Sequence, residues 1–122
     1  MKWKPTPLPT ASAEDIKQYE VLRPLIEGMY KDSQALAGKK LDGTLSKQRI
    51  AMINRLLKDV KEFLRNEPTV RYLDLLDEEV VPKNADALLV LGQYKSALDH
   101  YHSKYTEQGF GIVRWREATG DN

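Results

Sequence analysis

The chain of 122 residues contains no cysteine. That excludes disulfides, thiolate metal sites and cysteine nucleophiles, and suits a reducing compartment, so a cytoplasmic protein is expected. Long apolar runs are missing too. The longest, Ala87 to Leu91, is far below the roughly 18 residues a membrane span requires. The N-terminal stretch MKWKPTPLPTAS carries charge but no apolar core segment, so it does not read as a secretory signal and no membrane association is expected. Histidine is scarce, with only His100 and His102. At i, i+2 on one helix they point about 200° apart and cannot share a metal. Net charge is +1, too small for a general attraction to nucleic acid.

Charge is nevertheless unevenly placed. From Gly38 to Asn66 eight Lys or Arg stand against Asp42, Asp59 and Glu62, a local balance of +5. From Glu67 to Glu79 five carboxylates stand against Arg71, a balance of −4. Adjacent blocks of opposite sign pair within the chain or offer two poles to neighbouring copies or partners.

The apolar pattern is helical. Ile50, Ile53, Leu57, Val60 and Leu64 recur at helix spacing between Ser46 and Asn66, while Lys47, Lys58, Lys61 and Arg65 gather on the opposite side. Ile16, Tyr19, Leu22, Ile26, Met29 and Tyr30 form an earlier stripe that starts at a Ser12 cap, keeps phase through Pro24, and runs to about Ala37. A short third helix is expected after Pro68, with Val70, Leu73, Leu76 and Val80 inward and Pro82 as its end. A last helix, capped by Asn84 and reaching about Thr106, carries the seam Ala87, Leu91, Tyr94, Leu98, Tyr101 and Tyr105. The expected fold is all-α, an irregular bundle of about four helices with the first kinked at Pro24. Residues 1–12 form an extended Pro-rich arm, 13–108 the bundle, and 109–122 an aromatic tail able to make one strand without a partner strand.

Within the last helix, Gly92-Gln-Tyr94-Lys-Ser-Ala97-Leu98-Asp-His-Tyr101 resembles the second helix of a tetratricopeptide repeat, G-x-Y-x-x-A-L-x-x-Y. The resemblance covers ten residues, and Gly92 would then be a turn. The pattern does not recur about 34 residues earlier, so a repeat array is not expected.

Chemistry-bearing patterns are few. Asp74, Asp77 and Glu78 have the i, i+3, i+4 spacing that lets carboxylates share a cation on a helix, but charge on an outer helix face is the ordinary pattern and no E-x-x-H motif accompanies it. Phosphate-cradling glycine loops and nucleophile elbows are absent. No catalytic residue, metal ligand or cofactor is therefore assigned, and the expected function is a non-catalytic interaction module or accessory subunit that binds a protein partner or itself. The bulky apolar residues of the two terminal segments, Trp3, Phe110, Val113 and Trp115, are the expected contacts. The alternative is nucleic-acid binding through Lys39, Lys40, Lys47, Lys58, Lys61 and Arg65.

Overall fold

The computed structural model describes residues 7–118. Three α-helices carry the described chain: α1 (Ala13–Lys39), α2 (Lys47–Phe63) and α3 (Asn84–Tyr105). A 3₁₀ helix (Pro68–Tyr72) lies between α2 and α3, and a hairpin of β1 (Thr106–Gly109) and β2 (Ile112–Trp115) follows α3. The fold is mostly helical, but the expected four-helix bundle is corrected to three helices and a two-stranded sheet. Helix α1 packs chiefly along α3 and also against α2.

Local signals place the helices well. Ser12 Oγ accepts from the Asp15 amide at 3.0 Å and Ser46 Oγ from that of Arg49 at 3.1 Å, satisfying N-terminal donors that a helix leaves unpaired. The apolar face of α2 is buried from Ile50 through Val60, and Leu64 beyond it is fully buried. Helix α1 is unbroken through Pro24, which stands on its exposed side, and it ends at Lys39, two residues beyond the expected Ala37. The last helix starts differently from expectation. Lys83 is the N-cap, its amide donating to Asp86 Oδ2 at 2.8 Å, and Asn84 is the first helical residue. Gly92 makes no break in α3, so the turn implied by the repeat-like pattern is absent.

Two expectations fail for the same reason, which is that distant side chains outcompete local periodicity. The expected third helix is a single 3₁₀ turn followed by extended chain. Leu73 and Leu76 are buried as expected, whereas Val80 is exposed. Asn54 on α2 donates to the Leu76 carbonyl at 2.8 Å and accepts from the Leu76 amide at 2.9 Å. Lys61 donates to the Leu73 carbonyl, and Gln93 and Tyr94 on α3 bind the Asp74 amide and carbonyl at 3.2 and 2.7 Å. These backbone groups are thus satisfied without a helical ladder. Asp74, Asp77 and Glu78 consequently share no helix face.

The tail is the second correction. The last helix stops at Tyr105, one residue from its expected end, and the residues that follow it become β1, the partner that β2 was thought to lack. The register pairs Thr106 with Trp115 and Gly109 with Ile112. Of the expected arm, Pro7–Thr10 has no regular structure, while Ala11 is buried, bridged to Glu117 and hydrogen-bonded to Arg116 and Ala118. Trp3 lies outside the described residues.

Candidate docking site

One end of the molecule is aromatic. Tyr101 lies 4.8 Å from Phe63, 4.5 Å from Tyr105 and 6.0 Å from Tyr19 by ring centroid, joining α1, α2 and α3. Trp115 of β2 packs edge-on against Tyr19 at 5.0 Å and His102 at 5.1 Å, so the hairpin is rooted in this cluster. Burial pushes the Tyr19, Tyr94 and Tyr101 phenols above their ordinary range. Burial and a 2.7 Å hydrogen bond to Glu67 do the same for Tyr105. The other Glu67 oxygen accepts from Lys104 at 3.0 Å, which raises the lysine and gives this buried carboxylate two donors.

Arg116 locks the root. Its guanidinium donates to the carbonyls of Lys104, Thr106 (2.8 Å) and Pro9 (2.9 Å), while its own amide donates to the Tyr105 carbonyl. Carbonyls at the end of α3 that the helix cannot satisfy are thereby paired. Nothing in the sequence pattern reveals this role, because the carbonyls it gathers come from both ends of the chain.

At the far end of the hairpin, Phe110 and Gly111 form a two-residue turn with φ of 52° and 73°. Positive φ at both central positions is the pattern of a type I′ turn, whose preferred pair is Asn-Gly. Gly111 fits. Phe110 does not: a bulky residue in left-handed geometry costs about 1 kcal/mol, and its ring is fully exposed. Ile112 and Val113 beside it are 55% and 50% exposed. The tip therefore places three apolar side chains in water on a ribbon whose root, Trp115 and Arg116, packs on the core. Of the expected contacts, Phe110 and Val113 lie together here, whereas Trp115 is turned into its own chain.

The expected basic surface is less coherent. Lys39, Lys40, Lys47 and Lys58 are exposed, but Lys61 donates to the Leu73 carbonyl and Arg65 to the Glu62 carbonyl at 3.0 Å, with Glu62 Oε1 3.7 Å away. The 17 residues of α2, about 25 Å at 1.5 Å per residue, separate the first of these groups from the last.

An open cleft of about 470 Å³ beside the aromatic root holds Tyr19, Arg23, Glu27, Asp99, His102 and Ser103. Arg23 is spoken for on every side: it donates to Tyr19 Oη at 2.5 Å and pairs with Glu27 at 2.9 Å and Asp99 at 2.5 Å. That pairing holds the Glu27 carboxyl below its ordinary range. His102 stacks on Tyr19 at 5.6 Å, so its ring serves packing. Among the described residues no group of three or more His, Asp or Glu side chains is placed to hold a metal ion, and no helix is long and apolar enough to cross a membrane. No protein-family model, curated protein or solved structure matches this chain.

Proposed function

We propose that the protein is a non-catalytic docking module whose hairpin tip, Phe110 with Ile112 and Val113, enters an apolar pocket on a protein partner. The observation that carries this reading is Phe110 itself. It occupies a turn position that favours asparagine, accepts left-handed geometry, and buries nothing in its own chain. A residue that opposes the local rule without an internal gain marks a functional position. The aromatic root and the Arg116 clasp support the same reading. They hold the tip in place before binding, which lowers the ordering cost of association. Aromatic anchors on rigid backbone are the residues that dominate interface energies.

The test is site-specific photo-crosslinking. A photoreactive phenylalanine at position 110 is expected to give a discrete adduct in lysate, one that unlabelled wild-type protein competes away and the Phe110→Asn variant does not. The same probe at Val21, an equally apolar exposed site on α1, supplies the background. Equal labelling from both positions, or competition by Phe110→Asn as strong as by wild type, overturns the reading. Light scattering on the purified protein then separates a self-partner from another chain.

Nucleic-acid binding through Lys39, Lys40, Lys47 and Lys58 is the weaker proposal, because Lys61 and Arg65 already give donors to backbone carbonyls. It requires an affinity that falls steeply with salt and drops with Lys58→Glu.

A further inference from the structure

The outer edge of β2 is a second surface, and it is made of backbone rather than side chains. The two-residue turn closes on the pair Gly109 and Ile112, which sets the alternation of hydrogen bonds along the ladder. Glu107 with Arg114 is the next bonded pair, and the Arg116 amide continues the series to the Tyr105 carbonyl. The peptide groups of Val113 and Trp115, between these pairs, therefore point away from β1. Their amides and carbonyls have no backbone partner among the described residues. They repeat at about 6.8 Å, the two-residue step of an antiparallel strand. β1 is the one described element in extensive contact with β2.

The two edges of the hairpin are not alike. On the outer edge of β1 the Thr106 carbonyl is already taken, accepting from Arg116 at 2.8 Å. Ala11 bonds to the Arg116 carbonyl and the Ala118 amide, groups on the β1 side of the chain, so the outer side of β2 stays open. Composition is inverted as well. Edge strands are ordinarily guarded by charge or by proline. β1, TEQG, has that polar character, whereas three of the four residues of β2, IVRW, are of strand-favouring types. The strand better suited to pairing on both sides is the one left with a free edge.

The unpaired groups themselves define the occupant, because outward amides and carbonyls at strand spacing are matched by another extended backbone. A second copy of β2 fits poorly. Antiparallel registers that use both Val113 and Trp115 set Arg114 opposite its own counterpart or opposite Arg116, and like charges directly opposite are unfavourable. We infer that the outer edge of β2 receives an extended segment of a partner protein, which adds a third strand through the Val113 and Trp115 peptide groups. The partner residue beside Val113 is apolar, since that side chain is apolar and 50% exposed. The inference stands apart from the hairpin tip, because it makes no use of the Phe110 ring.

The probe is a designed peptide of about eight residues, within the ordinary length of a strand, alternating valine and threonine with a glutamate at each end. Its control has every central amide N-methylated, which removes the donors and keeps the side chains. In the free protein, hydrogen exchange followed by NMR should show the Ile112 and Arg114 amides protected and those of Val113 and Trp115 fast. Peptide at about ten times its dissociation constant should slow exchange at Val113 and Trp115 by about tenfold, and the control should not. Val113→Pro removes an outward donor without touching a ladder bond. It should weaken the peptide by about tenfold or more, and an unchanged Trp115 indole resonance checks that the hairpin keeps its fold. Phe110→Asn should leave the affinity unchanged, so that failure at this edge and failure at the tip are read separately. No binding of the peptide, equal binding of peptide and control, or unaltered affinity for Val113→Pro would each overturn the inference. So would Val113 and Trp115 amides already protected in the free protein, or protected on raising the concentration of the protein alone, because the edge would then belong to its own chain or to a second copy. Should the proline displace the indole, the exchange pattern of the wild type still decides.

Discussion

The segment Leu73–Pro82 and the hairpin Thr106–Trp115 are both non-helical excursions from a helical body, and they are built on opposite plans. In the first, three side chains are buried while Val80 and Val81 face water, and the backbone from Leu73 to Leu76 takes its hydrogen bonds from elsewhere. Leu73, Leu76 and Pro82 face inward while Asn54, Lys61, Gln93 and Tyr94 bind the main chain. In the hairpin the backbone pairs with itself, and beyond Trp115 the apolar side chains face water. The contrast separates structure from availability. A segment whose side chains are used internally is part of the fold, while a self-sufficient ribbon can present its side chains to something else.

Cutting the borrowed bonds should have the largest effect. Asn54→Ala strands the buried Leu76 amide and carbonyl together, at about 1–3 kcal/mol for each unsatisfied group. Stability should therefore fall by about 3 kcal/mol, read as a lower denaturant midpoint at unchanged slope. A loss under about 1 kcal/mol would mean the segment does not depend on the α2 side chain.

Next in size is the root of the hairpin. Trp115→Ala removes a half-buried ring packed on Tyr19 and His102, and should cost about 2–3 kcal/mol. Val113→Ala, two residues along the same strand face, should change stability by less than ~0.5 kcal/mol. Equal costs at the two positions would erase the distinction between root and tip.

The buried phenols should also respond to alkali. Tyr19, Tyr94, Tyr101 and Tyr105 have phenols raised by burial, and Lys104 is raised by its hydrogen bond to Glu67. Each folded group holds its proton to higher pH than in the unfolded chain. Their contribution is therefore complete below about pH 10, the ordinary phenol value, and is lost as pH rises above it. Denaturant midpoints should begin to fall at about pH 10 and keep falling to about pH 12, and phenolate absorbance should develop together with unfolding. A midpoint constant across that range would contradict the burial of these phenols.

The smallest stability effect belongs to the tip. Phe110→Asn restores the preferred turn pair and should stabilise the protein by ~0.5–1 kcal/mol. Added as an unlabelled competitor, the same variant should fail to displace the crosslinked adduct. Destabilisation by more than ~1 kcal/mol would assign Phe110 a role in the fold.

Much of the helical body was legible from residue pattern. The Ser12 and Ser46 caps act on amides three residues away, and the stripe from Ile50 to Leu64 states its inward face through its period. The two candidate contacts at the tip, Phe110 and Val113, were visible as bulky apolar residues in a short terminal segment. Their setting was not, since the tail carries only one strand-like run, and β1, with the sequence TEQG, has Thr106 as its single residue of a strand-favouring type. Trp115, expected as a contact as well, packs edge-on against Tyr19 and His102 of its own chain. Sequence identifies an indole that gains from burial but not which surface buries it.

By itself, then, the sequence determined the three helices, the Ser12 and Ser46 caps of the first two, and the faces of α1, α2 and α3 that meet in the core. Those features depend on amides, carbonyls and side chains within about one or two helical turns. Tertiary structure decided the extended path after Tyr72, the helix-to-strand switch at Thr106, and the aromatic root that carries the tip. Each rests on partners far apart in the chain: Asn54 and Leu76 are 22 residues apart, and Arg116 and Pro9 are 107. Unpaired backbone groups in an interior are costly whichever residue supplies the missing bond. Here the supply came from side chains that only the assembled helices bring within reach.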